Sequence, residues 1–555
     1  MHWCRLFLAL ALVSHATGIA LVEFCPDPYL PEDRDEYFCL GGSGPLDGVM
    51  VSDGEGSVRF PAGAVLAGRC VVARDAGAYR MSHGEYPDYE WDGTTAEVPD
   101  MIRTGRFQLA NTRDEITLYR DRVPLQSVEW PGMVSTRQGQ VHYCQNGTWD
   151  PRILMLGQSQ FPEATFQDAD GLAFVSPDCS REVFLSLARG ARTEILVAVY
   201  EFTSPVLAGA LVEAAGRGVN VTVLLEGGPV GGIPKEERWV ISRLEDAGIP
   251  VYTMSGTPDV HAPYRYMHAK YMVIDRSSVL VTSENFKESG FPEREKRGNR
   301  GFGVVVTHPG LAEYFLSVFS HDAGGRFSIR AKTGEGPEEM PSQDAYMPSF
   351  EPCRFSGATV TPVIAPDTSS LVRRLVQGAE RSVDIEMAYI TNESGSMLNP
   401  FLTDAVDAAR RGVRVRVLLD SYYYNVEGES DNDEMVATIN RIATAEGLPL
   451  EARCADIGPG KVEKIHNKGA IIDGRKVLVS SINWNTNSPV NNREAALIVE
   501  HPGVGAYFSS VFESDWNRAG QEGMAAQGPD VIKLVAAVLV VAAIIILFLY
   551  RKRGR

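Results

Sequence analysis

Two short stretches carry residue types that could do chemistry together. In MHAKYMVID, residues 267–275, His268 and Lys270 stand two apart, so on an extended strand both side chains leave the same face. An imidazole and an ammonium group on a half-buried face are costly unless something anionic joins them. IHNKGAIID, residues 465–473, repeats the arrangement: His466, Lys468 and Asp473 fall at the spacings of His268, Lys270 and Asp275. Eight residues after each Asp a polar trio begins, Ser283-Glu284-Asn285 in one stretch and Ser481-Ile482-Asn483 in the other.

Paired histidines, lysines, hydroxyls and amides suit a phosphate held between two facing copies. Ammonium groups and N–H donors hold its oxygens and stabilise the charge that moves during phosphoryl transfer. One imidazole can attack phosphorus while the other protonates the leaving oxygen and then activates water. Each Asp has the opposite strand parity from its His. Asp275 and Asp473 are therefore expected to orient an imidazole, or stabilise its protonated form, through the turn or from the other copy. An ammonium beside each imidazole would repel a cation, so no metal is expected. No CxxC or CxxH spacing suggests a zinc site either. No cofactor is called for.

The elements that must position these residues repeat as well. GNRGFGVVVTHPGLAEYFLSVFSHD pairs with NNREAALIVEHPGVGAYFSSVFESDW, and matching stretches lie upstream. A repeat this long means two fused domain copies and not a solenoid. Apolar patterning predicts strands over 194–199 and 383–388, helices over 206–216 and 401–411, then strands over 219–225 and 413–419. Helices follow over 235–247 and 433–445, and closing helices over 311–319 and 504–512. The His-Lys strands run into tight turns, VIDRSSVLV and IIDGRKVLV, and the Asp-Gly step of the second is a hairpin signal. Tyr422, Tyr423 and Tyr424 follow the second predicted strand of their copy, where α/β loops line sites; substrate contact and simple packing both suit them.

The first 160 residues differ: EYFCL, GSVRF, VVARD, RFQLA and EITLYRD are short β-like runs among Gly and Pro, as in a small all-β sandwich.

Two copies of H-x-K-x-x-x-x-D, each followed by S-x-N, resemble the phospholipase D superfamily of phosphodiesterases over about residues 170–520. The resemblance implies an α/β fold in which two mixed sheets flanked by helices meet by pseudo-twofold symmetry around one metal-independent site. It implies His268 as the nucleophile of a phosphohistidine intermediate and His466 as the general acid. Lys270, Lys468, Ser283, Asn285, Ser481 and Asn483 would hold or support the phosphate. Two departures stand out: Thr282 and Ser480 occupy a place often held by Gly. The second copy has Asn492-Arg493-Glu494 where the first has Asn299-Arg300-Gly301. Glu494 is thus a supporting residue, and the first half is expected to lack an acidic counterpart. ALVEFCPDPYLPEDRDEYFCL and LANTRDEITLYRDRVPLQSVEW are similar to lamin-tail domains, which implies a β-sandwich binding or spacing module.

The ends suggest targeting. Residues 1–20 have the arrangement of a secretory signal peptide. Residues 534–550 carry no charge and are followed at once by RKRGR, which reads as a membrane span over 531–550 with a basic cytoplasmic tail, 551–555. The expected order is signal peptide 1–20, lamin-tail-like sandwich 21–160, repeat one 170–325, linker 326–357, repeat two 358–520, linker 521–530, span and tail. The body would then face outward at the cell membrane, where disulfides are permitted; sequence leaves the pairing of Cys25, Cys39, Cys70, Cys144, Cys179, Cys353 and Cys454 open. A formal net charge of −18 argues against a general affinity for nucleic acid. The expected function is a membrane-anchored extracellular phosphodiesterase acting on phospholipid. An endonuclease with the same site is the alternative, and a non-catalytic adhesion or scaffold protein is an alternative of another class.

Overall fold

The computed structural model describes residues 18–257, 261–392, 397–426 and 431–522. Most of the expected leader, the span over 531–550 and the basic tail lie outside them. Among the described residues no helix is long and apolar enough to cross a membrane.

Runs rich in Val, Ile and Leu make the strands of the first copy. They are β1 (Phe166–Ser176), β2 (Glu194–Val199), β3 (Asn220–Glu226), β4 (Val251–Met254), β5 (Lys270–Ile274), β6 (Ser278–Thr282) and β7 (Gly301–Thr307). A short edge strand, β8 (Ser328–Arg330), follows. The second copy supplies β9 (Cys353–Ala365), β10 (Ser382–Met387), β11 (Arg414–Leu419), β12 (Leu450–Cys454), β13 (Lys468–Ile472), β14 (Lys476–Ser480) and β15 (Glu494–Glu500). All join one sheet in the order β8-β4-β3-β2-β5-β6-β7-β1-β9-β15-β14-β13-β10-β11-β12. Apart from β8, each strand mirrors its repeat partner across the antiparallel β1–β9 pair. That pair marks the pseudo-twofold axis. Strand β9 begins inside the stretch expected to be a linker, so the connection is itself a central strand.

Helices cover both faces. The first copy has α1 (Ser180–Gly190), α2 (Pro205–Gly216), α3 (Lys235–Asp246) and α4 (Pro309–Gly324). The second has α5 (Ser370–Gln377), α6 (Pro400–Arg410), α7 (Asn432–Glu446) and α8 (Pro502–Glu522). The two His-Pro-Gly steps start α4 and α8: His308 Nδ1 accepts from Leu311 N at 3.2 Å, and His501 Nδ1 from Gly503 N at 3.1 Å, satisfying donors left free at a helix start. Strand residues alternate between layers, as a two-residue period requires. Ile195, Val197 and Val199 face α1–α3, while Leu196 and Ala198 join a core under α4 and α8 that runs through both copies. Phe302 of the first copy packs on Phe508 of the second, ring centroids 4.4 Å apart; burying one such ring is worth about 1.5–3 kcal/mol.

The N-terminal region is a β-sandwich. A seven-stranded sheet built on Ala20–Cys25, Tyr37–Pro45, Val65–Ala73 and Gln140–Gln145 packs on a five-stranded one that includes Gly56–Arg59 and Asp114–Arg120. Phe24, Phe38, Trp91, Phe107 and Trp130 fill the space between. Ile19 and Ala20, inside the expected leader, belong to this domain: Ile19 is buried and Ala20 pairs with Gly41. The run RFQLA is not a strand. Its Gln108 and Leu109 N–H groups donate to the Asp53 and Glu36 carboxylates, not to a neighbouring strand.

Candidate active site

The histidines stand just before β5 and β13, not on them, so the lysines alone open the strands. Each lead-in segment crosses to the other copy. Met267 forms a parallel bridge with Arg493, and Ile465 one with Arg300. His268 N donates to Arg493 O at 2.8 Å, and His466 N to Arg300 O at 2.9 Å. From within each copy a carboxylate at or just after a strand end steadies the same segment. Glu226 accepts from Met267 N at 2.5 Å and Asp420 from Ile465 N at 2.7 Å. The two arginines are fully buried, which demands paired charge. Arg300 lies between Asp178 and Asp515, each at 2.7 Å, and Arg493 against Asp322 at 2.8 Å. Asp515 and Asp322 come from the opposite copy, so these pairs tie the halves together in register.

Facing the histidines across the axis are two buried carboxylates. His268 Nδ1 donates to Glu494, 2.9 and 3.0 Å from its two oxygens, and His466 Nδ1 donates to Glu284 Oε1 at 3.2 Å. These bonds set the tautomer and leave Nε2 of each ring for the cavity that both line. The cavity holds about 180 Å³ and is also lined by Lys468, Asn285, Asn483 and Tyr200. Asn285 Oδ1 and Asn483 Oδ1 are buried there with no hydrogen-bond partner among the described residues. Lys270 Nζ donates to His268 O at 2.7 Å and Lys468 Nζ to His466 O at 2.5 Å, so each ammonium is held against its own histidine's backbone.

Burial sets the protonation states. It pulls both imidazoles below their ordinary pKa, against the Glu494 carboxylate at His268 and together with the nearby lysines at His466. It lowers Lys270 to about 8, and Lys468 is lowered by burial and by the Lys270 charge. Burial pushes the Glu284 carboxyl up against the pull of Lys468. An anion bound between these groups would favour their charged forms.

The family described as "Cardiolipin synthase, PLD-like domain" matches residues 184–323 and 372–516, just over half of the chain. The chain belongs to the phospholipase D superfamily. A curated relative, the mitochondrial cardiolipin hydrolase of Xenopus laevis, is 31% identical over 150 residues, covering 27% of this chain and 61% of that protein. The match thus spans less than two thirds of the relative's own length. Among solved structures, the phospholipase D family member Nuc from Salmonella typhimurium is 25% identical, covering 31% of this chain and 100% of that one, with a TM-score of 0.25. Phosphatidylserine synthase from Haemophilus influenzae Rd KW20 is 15% identical, covering 62% and 85%, with a TM-score of 0.44.

Within this site, His268, His466, Lys468, Asn285 and Asn483 converge on one cavity and Lys270 is anchored beside it, but the other expected residues do not reach it. Asp275 and Asp473 orient no imidazole. Asp275 accepts from the N–H groups of Arg192, Thr193 and Glu194, and Asp473 from those of Glu380, Arg381 and Ser382. The intervening strand carries each Asp to the far end from its His, into a turn where its φ is 51° or 56°. They clamp the entry to β2 and β10. Asp275→Ala is therefore expected to lower stability by about 1–2 kcal/mol, as loss of a comparable cap does, while kcat stays within about twofold; thermal unfolding alongside a turnover assay checks both. Ser283 and Ser481 are fully buried and do not line the cavity. Ser481 Oγ donates to Glu494 Oε2 at 2.5 Å, and Ser283 Oγ lies 3.5 Å from Glu284 Oε1, so they steady carboxylates and not phosphate.

The missing acid of the first copy is present, in another place. Glu284 stands where the second copy has Ile482, and it serves His466 as Glu494 serves His268. The signal was a Glu inside S-E-N, facing a buried position that its repeat fills with Ile.

Proposed function

We propose that the protein cleaves a phosphodiester of phospholipids through a covalent histidine intermediate. The observation that carries this is the pair of imidazoles with Nδ1 bound to buried carboxylates of the opposite copy and Nε2 left to one cavity. His268 Nε2 attacks phosphorus while His466 Nε2 gives its proton to the leaving oxygen. His466 then takes a proton from water, whose oxygen displaces His268 and regenerates it. Glu494 steadies the imidazolium that His268 becomes, and Lys270, Lys468, Asn285 and Asn483 hold the phosphate oxygens. The lysines supply positive charge at the place where a metal would otherwise do so.

A phospholipid substrate is supported by the names of the matched family and relatives, and by the charge-free run at 534–550 with its basic tail, which would hold the body at a cell membrane, outside, behind a cleaved leader. The sandwich, similar in sequence to lamin tails, would bind a partner or space the enzyme from the membrane. The nuclease reading draws on one feature: Tyr423 and Tyr424 are exposed beside the cavity, where unpaired bases could stack. The intact carboxylate-histidine pairs oppose a purely adhesive role.

The test offers phospholipid vesicles, single-stranded and duplex DNA, and a chromogenic phosphodiester, all in EDTA. Lipid turnover is expected; DNA cleavage alone would select the nuclease, and loss of activity in EDTA would sink the metal-free route. The pH profile follows from the shifted groups. His268 must be neutral to attack, and burial, which lowers its pKa, favours that neutral form. His466 must be protonated, and its lowered pKa makes that fraction fall as pH rises. Lys270 loses its charge through about 8. The maximum of kcat/KM is expected on the acid side of 6.5.

A further inference from the structure

The two buried arginines behind the histidine segments are not held alike. Each faces an aspartate two residues beyond a central strand, Asp178 after β1 and Asp367 after β9. Arg300 Nη1 donates straight to Asp178 at 2.7 Å. The Arg493–Asp367 pair is 4.0 Å apart, and Ser159 stands between its members. The Ser159 hydroxyl donates to Asp367 Oδ2 at 2.7 Å and accepts from Arg493 Nη2 at 2.6 Å, using both capacities of a hydroxyl. Phe161 N donates to the same carboxylate oxygen at 2.7 Å.

Ser159 belongs to neither repeat. It lies on the strap by which the sandwich leads into β1, and the sandwich holds that strap. Leu154 and Met155 pair with Val141 and Gln140, and Leu156 N donates to Gly139 O at 2.7 Å. From there the strap grips the segment that leads to His268. Gln158 Nε2 donates to Pro263 O at 2.9 Å, and Ser159 N to the Tyr264 hydroxyl at 3.0 Å. Arg493 Cζ lies 4.2 Å from the centre of the Tyr264 ring. Tyr29 of the sandwich stacks on His261, ring centroids 3.8 Å apart. The clasp behind His466 is closed instead by the stretch between the repeats. There Arg300 Nη2 donates to the Tyr346 hydroxyl at 3.3 Å, and Asp178 accepts from Ser349 N at 2.6 Å and Phe350 N at 3.1 Å.

We infer that Ser159 is a positioning residue for His268, acting through Arg493, so that the sandwich supports the nucleophile and is not only a spacer. This rests on the reading in which His268 attacks phosphorus. Arg493 O accepts from His268 N at 2.8 Å, and the next residue, Glu494, holds the same histidine at Nδ1. A shift of Arg493 therefore moves both holds on the imidazole at once. Without the Ser159 hydroxyl, a buried guanidinium and a buried carboxylate each lose a partner and must move to regain one. In-line attack is sensitive to such movement, since a displacement of about 1 Å costs about 10²-fold in rate.

The experiment uses the full chain carrying His466→Ala. Release of 4-nitrophenolate from bis(4-nitrophenyl) phosphate then stops after one equivalent, so amplitude counts intact sites and rate reports attack by His268. Adding Ser159→Ala is expected to slow the burst about thirtyfold at an amplitude still near one equivalent. Ser159→Thr, which keeps the hydroxyl, should stay within about threefold of the parent rate. Where Ser159→Ala does not fold, Gln158→Met removes the bond to Pro263 O; slowing of about threefold at full amplitude is expected, and the parent rate overturns the inference. A Ser159→Ala burst at the parent rate, whatever its amplitude, assigns Ser159 to folding alone and overturns the inference while the catalytic reading stands. A Ser159→Thr chain as slow as Ser159→Ala at equal thermal stability does the same. No burst in the His466→Ala parent, where the wild type turns the diester over, removes His268 as nucleophile and this inference with it. A wild type inactive on every phosphodiester overturns the catalytic reading and this one together.

Discussion

Replacing His268 with alanine is expected to lower kcat/KM by about 10⁴-fold or more, the scale seen when a covalent nucleophile is removed and only binding remains. A slow phosphodiester labelled on phosphorus should leave label on the wild-type chain after acid-free quenching and none on His268→Ala. His466→Ala should behave differently. With a good leaving group such as 4-nitrophenolate, which needs no proton, it should release one equivalent in a burst and then stall with label on His268, because water is no longer activated. The fold is nearly symmetric, so the mirror-image assignment is the competing outcome: label on His466 in the His268→Ala chain would reverse the roles. The two imidazoles are set apart by their surroundings, since Glu494 holds His268 with both carboxylate oxygens and Glu284 holds His466 with one.

The second large effect concerns Glu284. Glu284→Gln keeps the shape but loses the charge that steadies a protonated His466, and kcat is expected to fall roughly 10²-fold. The decisive variant copies one half of the molecule onto the other. Gly301→Glu alone would place a Cβ 2.2 Å from Glu284 Oε1 and 2.6 Å from Ser283 Oγ, so it should misfold or lose activity. Combined with Glu284→Ile, it reproduces the pattern of Ile482 and Glu494 and should recover to within about tenfold of wild type. Such recovery is the signature of neighbouring sites that are not additive. A double variant no better than Gly301→Glu alone, at equal thermal stability, would show that Glu284 does more than orient His466.

Much of this site was legible in order along the chain. The strand and helix alternation follows the expected order, since side-chain periods of two and 3.6 residues are local properties; of the S-x-N trios the asparagines line the cavity and the serines do not. Predicted helix 206–216 is observed as Pro205–Gly216, and predicted strand 413–419 as Arg414–Leu419. The misreadings have a common cause. RFQLA has strand-like residues, but its amide groups found carboxylates elsewhere in the chain. Cys353–Ala365 begins in a stretch with linker-like residues, yet it pairs with two strands and lies beside the axis. Asp275 and Asp473 keep motif spacing with their histidines but turn away from them at the far strand end.

By itself the amino-acid sequence determined the repeat, the pairing of each histidine with a lysine and the class of anion such a set would hold. The tertiary structure decided which carboxylate serves which imidazole. Glu494 lies 226 residues from His268, and Glu284 lies 182 from His466. No local period relates such positions. Antiparallel pairing of β1 with β9 and the buried Arg300 and Arg493 clasps bring the two copies face to face, and only then does an acid from one half come within hydrogen-bond distance of a base from the other.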